Sequence, residues 1–401
     1  MTIAIKMIII FASIVLLLRK KHSLGAAMIV ATLLVALLFH LTVFQVWAGV
    51  KTALISPATI KVTLALLLVM VLENTLRKSG LLQEMVDSLR ELIPDQRIVM
   101  GLLPAIIGFL PSPGGAVFSA PLVAEVGRDT RLSVEKQAFV NYWYRHIWEY
   151  FFPLYPGILL TAELLHLSMT QLVANQMIYT LMAVVLGFPA GFRGLTRCPR
   201  ETSNNSQKVN QLSMLVKGLA PIAVVIVAVL GWGINLVSAL AVVIGVLWLI
   251  FRYTIGQIGS TLREAFSPGL ILMVVSVMIF NEMLNQASVF QELPGLFAQW
   301  GLPITLIAAL LPFVVGFATG VTQGFVAATF PLLGMLFDPS DLSLVTLAFV
   351  SGFAGVMLSP VHLCLVLTVQ VFKANLARVL GLLVGPELIL IGLAVGRHLL
   401  K

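Results

Sequence analysis

Stretches of almost unbroken apolar residues recur along the chain, many of them close to the roughly 20 residues that a helix needs to cross a bilayer. They fall near 3–18, 24–40, 59–77, 137–163, 171–189, 215–233, 235–251, 268–285, 342–372 and 379–397. Two more, near 98–126 and 302–337, are interrupted at their centres by Gly, Pro, Ser and Thr. Amphipathic stretches, Gly80–Leu92 and Ser288–Trp300, precede these two in matching positions. Lipid offers the backbone no hydrogen bonds, so spans must be helices or closed barrels. The pattern predicts an all-α polytopic membrane protein with about ten transmembrane helices.

Basic residues set the expected topology, because Lys and Arg favour cytoplasmic loops. They cluster at 19–22, from Arg77-Lys78 to Arg97, at Arg128, Arg131 and Lys136, from Arg193 to Lys208, at Arg252 and Arg263, and at Lys373 and Arg378. The loops at 41–57, 164–170, 231–234, 286–301 and 338–341 carry almost none, Lys51 excepted. The sides alternate consistently only if 98–126 enters and leaves from the cytoplasm as a re-entrant hairpin, and 302–337 does so from outside. The N-terminus then lies outside. The basic cluster Arg19-Lys20-Lys21 follows the first apolar run instead of preceding it, which favours an uncleaved first span over a signal peptide.

The two halves also share a phrase. Leu102-Leu103-Pro104-Ala105-Ile106-Ile107-Gly108-Phe109 is echoed by Leu310-Leu311-Pro312-Phe313-Val314-Val315-Gly316-Phe317, at a constant offset of 208 (312 − 104 and 316 − 108). Gln83-Glu84 and Gln291-Glu292 keep the same offset. Internal duplication in a hydrophobic chain is the mark of a transporter built from related halves. The expected organisation is a first inverted repeat, 1–193, with hairpin 98–126 and broken helix 137–163. A polar cytoplasmic linker, 194–212, leads to a second repeat, 213–401, with hairpin 302–337 and broken helix 342–372.

Four places are expected to break helix at membrane depth. The hairpin tips are Pro111-Ser112-Pro113-Gly114-Gly115 and Ala318-Thr319-Gly320-Val321-Thr322-Gln323-Gly324. The broken spans interrupt near Phe152–Gly157, at Pro153 and Pro156, and near Met357–His362, at Pro360. Non-helical backbone is tolerated there only inside protein or beside a wet cavity, and each restarting helix presents free N–H groups and a positive dipole end. Ser112, Gly114, Gly115, Thr319, Gly320, Thr322, Gln323, Ser359 and His362 are therefore the candidate substrate-binding residues. Oxygens near Ser112, Thr319 and Thr322 are a possible Na⁺ position, and no other metal or cofactor is expected.

Composition agrees with this picture. Of 401 residues 59% are hydrophobic and 10% charged, against about 25% charged in soluble chains. The formal charge of +8 reads as topology and not as nucleic-acid binding. Cys198 lies in a polar loop and Cys364 in an apolar run, which is neither a disulfide framework nor metal-ligand spacing.

Some charges fall at depth. Asn141–Glu149 is a polar, aromatic run in which Arg145 and Glu149 are i,i+4 and can pair. His146 and Glu149 are i,i+3, a spacing seen on metal-binding helices, without other ligands evident in the sequence. Arg145, His146 and Glu149 are candidates for coupling or gating, against a structural ion pair in an aromatic belt. An ionisable residue such as His362 inside a span is a functional candidate by default. Glu73-Asn74 and Asn281-Glu282 read as near-equivalent polar pairs close to the interface. All five Asp residues fall in predicted loops, which disfavours a cation/proton antiporter relying on buried Asp.

Ser351-Gly352-Phe353-Ala354-Gly355 followed by Ser359-Pro360-Val361-His362-Leu363-Cys364 resembles the C-terminal signature of the domain-of-unknown-function 401 branch of the ion transporter superfamily of secondary carriers. The resemblance covers essentially the whole chain and implies an elevator-type homodimer, in which hairpins and broken helices slide against a scaffold. Sodium-coupled carboxylate carriers of that superfamily bear Ser-Asn-Thr at each tip, and here the Asn is missing from both. The expectation is a secondary active transporter of the cytoplasmic (inner) membrane, moving a small organic anion with Na⁺ or H⁺. A cation/proton antiporter on the same scaffold is the alternative. A passive channel and a membrane-embedded enzyme rank below, since no HExxH, paired Asp or nucleophile motif is present.

Overall fold

A computed structural model describes residues 2–109, 115–128, 130, 132–195, 205–289, 301–336 and 341–401. The described regular structure is entirely helical, with nineteen α-helices and no strand. The first tip at Ser112 and Gly114, the polar segment carrying Cys198, and the second amphipathic stretch beyond residue 289 lie outside the described residues.

The first part of the chain forms α1 (Ile3–Arg19), α2 (Leu24–Leu38), α3 (Val43–Ile55), α4 (Pro57–Lys78) and α5 (Leu81–Leu92). It continues as α6 (Gln96–Gly108), α7 (Ala116–Gly127), α8 (Val134–His146), a 3₁₀ turn (Ile147–Tyr150), α9 (Pro156–Leu164) and α10 (Met169–Phe192). The remainder forms α11 (Asn205–Ile226, extended by a π turn to Gly231), α12 (Leu236–Ile250), α13 (Ile255–Ala265) and α14 (Pro268–Gln286). After these come α15 (Ile304–Thr319), α16 (Thr322–Leu336), α17 (Leu342–Met357), α18 (Leu363–Phe372) and α19 (Leu376–Leu399).

Among the described residues, five helices are long and apolar enough to cross a membrane: 57–78, 169–192, 208–231, 268–286 and 376–399. Several others are apolar but shorter, including α2, α6, α12 and α15 to α18. The 16 residues of α15 rise only about 24 Å, less than the ~30 Å hydrocarbon core.

The structure corrects two expected loops. Residues 41–57, expected as a loop, contain α3, and the basic segment around Arg263 is α13. Both start at a Thr-x-x-Gln capping box, Thr42/Gln45 and Thr254/Gln257, which satisfies orphan N–H groups at the helix start. The second helix set begins at Asn205, inside the expected 194–212 linker. At the second tip, helix runs through Thr319 and resumes at Thr322, so only Gly320 and Val321 are left to turn the chain.

Packing joins the two parts reciprocally. Helix α2 packs on α14 and α12 on α4, while α3 packs on α14 and α13 on α4. Likewise α9 packs on α16 and α18 on α7. At three glycines backbone closely meets backbone. A Cβ on Gly108 of α6 would sit 2.3 Å from the Arg145 carbonyl oxygen of α8. A Cβ on Gly316 of α15 would sit 2.2 Å from the Gly352 carbonyl of α17, and one on Gly355 the same distance from the Phe313 carbonyl. Small residues allow such close crossings, which hold helices together in lipid by van der Waals contact.

Candidate functional site

Helix α8 starts at its Ser133 cap and is buried from Gln137 to His146. Its aromatic and amide groups anchor it on several sides. Trp143 Nε1 donates to the Ala183 carbonyl at 2.8 Å, Tyr142 Oη to that of Met357 at 3.2 Å, and Asn141 Nδ2 to Thr368 Oγ1 at 3.1 Å. The chain tightens into the 3₁₀ turn, leaves helix through Pro153 and restarts at Pro156. Proline suits that first helical position because its missing N–H would be unpaired there anyway. Tyr155, at this restart, donates to the Gly108 carbonyl of α6. The second gap, Leu358–His362, carries Pro360, and His362 is the last residue before α18.

Three helix starts meet beside this turn. A Cβ on Gly157 of α9 would lie 2.6 Å from Thr322 Cγ2, and one on Gly320 would lie 2.9 Å from His362 N. The first turns of α9, α16 and α18 are thus neighbours. Gly320 has φ +64°, a left-handed conformation that L side chains adopt only at a cost. It closes α15, while Ser359 Oγ donates to the Phe317 carbonyl at 2.6 Å. These contacts fasten the turn between α15 and α16 to the break between α17 and α18.

The polar side chains at this junction are nearly inaccessible. Thr322 Oγ1 donates to Glu149 Oε2 at 2.9 Å, and Glu149 Oε1 lies 3.8 Å from His146 Nε2. His146 Nε2 and His362 Nε2 are 3.3 Å apart, with the two rings edge to face. His146 Nδ1 lies 2.6 Å from the Tyr142 carbonyl and His362 Nδ1 lies 2.7 Å from that of Gly320. A carbonyl accepts but cannot donate, so both Nδ1 atoms carry hydrogen. Cys364 Sγ joins the group, and one ligand atom from each of His146, His362 and Cys364 lies within 4.8 Å of the others. Arg145, also buried, is near enough for its charge to act on Glu149.

The other expected site residues distribute as follows. Thr319 Oγ1 donates within its own helix to Val315 at 2.8 Å, and Gln323 is half-buried beside Thr322. Gly115 is buried at the head of α7, and the Ser119 hydroxyl reaches its carbonyl at 3.4 Å. Ser112 and Gly114 lie outside the described residues. Glu149, His146, His362 and Thr322 come together although they are up to 216 positions apart (362 − 146).

Sequence reasoning did not assign Cys364 a place here, nor did it single out Glu387. The latter is fully buried on α19 and accepts from Tyr150 Oη at 3.3 Å. A Cys two residues after His362 on a restarting helix was the available signal for the first. An acidic residue deep in an apolar run was the signal for the second.

Two cavities of about 300 Å³ are lined by other residues, none of them from the junction. One is lined by Glu73, Arg77, Gln83, Ile107, Phe118 and Leu122. The other is lined by Glu163, Asn281, Glu282, Asn285, Pro331 and Gly334 among others. Glu73 and Asn74 are themselves buried, Asn74 accepting from Arg77. Glu282 accepts from Gln286 at 3.2 Å.

Residues 3–396 match the model of a protein family described as "Protein of unknown function (DUF401)". The chain belongs to this family. No curated protein matches it. Membership of DUF401 extends over nearly the whole chain, so the helical membrane architecture and the buried junction both lie within the family's bounds.

Proposed function

We propose that the chain is a secondary active transporter of the cytoplasmic membrane that moves a small organic anion, coupled to Na⁺ or H⁺. One observation carries this reading: three helix starts, drawn from both parts of the chain, meet at one buried polar junction. Positive helix ends and Arg145 attract an anion there, and Glu149 is the acidic side chain that the described contacts place against Thr322 and His146.

In this proposal α1–α10 and α11–α19 are inverted repeats, and α6–α7 and α15–α16 are re-entrant hairpins. Their short helices and the shared phrase at Pro104 and Pro312 support that assignment. The hairpins and broken helices form the moving part of an elevator within a homodimer, and the two cavities are approaches from opposite faces.

The test is uptake of labelled small carboxylates into proteoliposomes under imposed Na⁺ or pH gradients. Substrates would be chosen by a thermal-shift screen of organic and inorganic anions, with and without Na⁺. Gradient-driven accumulation supports the reading; its absence for every anion that shifts melting removes it. Exchange of a cation, as in an antiporter, is the second reading, favoured by the buried Glu149 carboxylate among the same helix starts. Ion exchange without anion uptake would select it.

A further inference from the structure

We propose that His146, His362 and Cys364 form a binding site for a thiophilic divalent transition-metal ion of the Zn²⁺ class, with Glu149 as fourth ligand. The two imidazoles stand at the spacing the ion requires, and the thiol lies beside them. Tetrahedral Zn²⁺, with Zn–N near 2.0–2.1 Å and Zn–S near 2.3 Å, sets nitrogen ligands about 3.3 Å apart and nitrogen from sulfur about 3.6 Å. The two Nε2 atoms are 3.3 Å apart, and the His–His–Cys ligand atoms all fall within 4.8 Å. Glu149 Oε1 lies 3.8 Å from His146 Nε2 and would have to move toward His362 and Cys364 to take the fourth position of the tetrahedron. The bond from Thr322 to Oε2 leaves Oε1 free to turn inward.

The surroundings point the same way. Metal-binding imidazoles almost always donate their other N–H to a carbonyl or carboxylate, which fixes the tautomer and aims the lone pair. Both rings do so, to the Tyr142 and Gly320 carbonyls, which leaves both Nε2 atoms, 3.3 Å apart, as acceptors. Two acceptors facing each other at that distance repel unless a cation lies between them. Imidazole and thiolate donors select zinc-like or copper-like ions, whereas Na⁺, Mg²⁺ and Ca²⁺ favour oxygen. The ligands come from three segments, α8 with its 3₁₀ turn, the second helix gap, and α18. An ion would therefore tie the first part of the chain to the second.

The proposal stands apart from the identity of the transported solute, because binding is measured in detergent without a gradient. Full-length protein carrying Cys198→Ser, so that Cys364 is its single thiol, is stripped with a chelator and titrated with Co²⁺ and Zn²⁺. One ion per chain is expected, with tetrahedral d–d absorption and a thiolate-to-cobalt charge-transfer band. Cys364→Ser should abolish that band. His362→Ala should weaken Zn²⁺ binding by ~100-fold or more, since loss of outer-shell partners alone costs about 10–100-fold. Alanine at the exposed His22, His40 and His166 should change neither. Melting curves establish that each variant is folded. Should Cys364→Ser fold poorly, the spectrum of the Cys198→Ser protein, with and without its thiolate band, decides alone. Absence of stoichiometric binding, or a cobalt spectrum without the thiolate band, would overturn the site. In that case a proton shared between the two rings accounts for their approach.

Discussion

The hydroxyl of Thr322 donates to Glu149 Oε2 at 2.9 Å, joining the first residue of α16 to the one-turn 3₁₀ segment after α8. Removing one partner of a buried hydrogen bond costs about 1–3 kcal/mol, or roughly tenfold in an equilibrium that depends on it. Thr322→Val should lower uptake about tenfold while the protein still inserts and elutes as a single species. Thr322→Ser, which keeps the donor, should retain most activity. Equal uptake by all three proteins would remove Thr322 from the working site.

Backbone contact at Gly108 and Gly316 gives a paired prediction. Alanine at either position drives a methyl into a carbonyl at 2.3 or 2.2 Å, and overpacking of this kind costs about 1–3 kcal/mol. Both variants should melt several degrees lower in detergent. Gly245→Ala and Gly392→Ala, where nothing lies within 4 Å of the new methyl, should melt at or above the wild-type temperature. A uniform response across the four would show that helix crossing at these glycines does not set stability.

Gly320 combines left-handed backbone with proximity to the His362 main chain. Gly320→Ala should therefore displace the helix gap at His362 as well as strain the turn. Uptake is expected to fall further than the melting temperature would suggest, compared with Gly316→Ala. Uptake that merely tracks stability in both variants would contradict that link.

Tyr150 and Glu387 offer a test of a buried polar pair. Glu387 is fully buried, and its Oε1 lacks a hydrogen-bond partner among the described residues. Tyr150→Phe strips the remaining donor and should cost about 1–3 kcal/mol. The double variant Tyr150→Phe/Glu387→Leu, which removes both polar groups, should recover much of that loss. A double variant less stable than the single one would mean that the carboxyl has another role in holding α19.

Much of this architecture is legible in the sequence because prolines and glycines punctuate it. Pro153 and Pro360 lie in the two helix gaps, and apolar run lengths locate the longer spans. The helices α3 and α13 escape hydropathy reading because α3, though apolar, has only 13 residues and α13 has one polar and one apolar face, although Thr42-x-x-Gln45 and Thr254-x-x-Gln257 announce their starts. The site is less legible. His146 and His362 stand out singly as ionisable residues in apolar context, but their pairing depends on a contact between helices far apart in sequence. Cys364 looks like an ordinary apolar-run cysteine until the fold places it beside two imidazoles. Thr319 and Ser359, read as ligands, donate their hydroxyl hydrogens to carbonyls of α15, Thr319 within its own helix and Ser359 from the second helix gap, a use that residue type alone does not distinguish.

The two carbonyls that hold the imidazoles belong to different structural members. That of Tyr142 is part of a continuous buried helix, and that of Gly320 closes a two-residue reversal. Whatever sits between the rings therefore pulls on a rod at one end and on a turn at the other. An ion held there would be a mechanical link carried along the chain's own backbone.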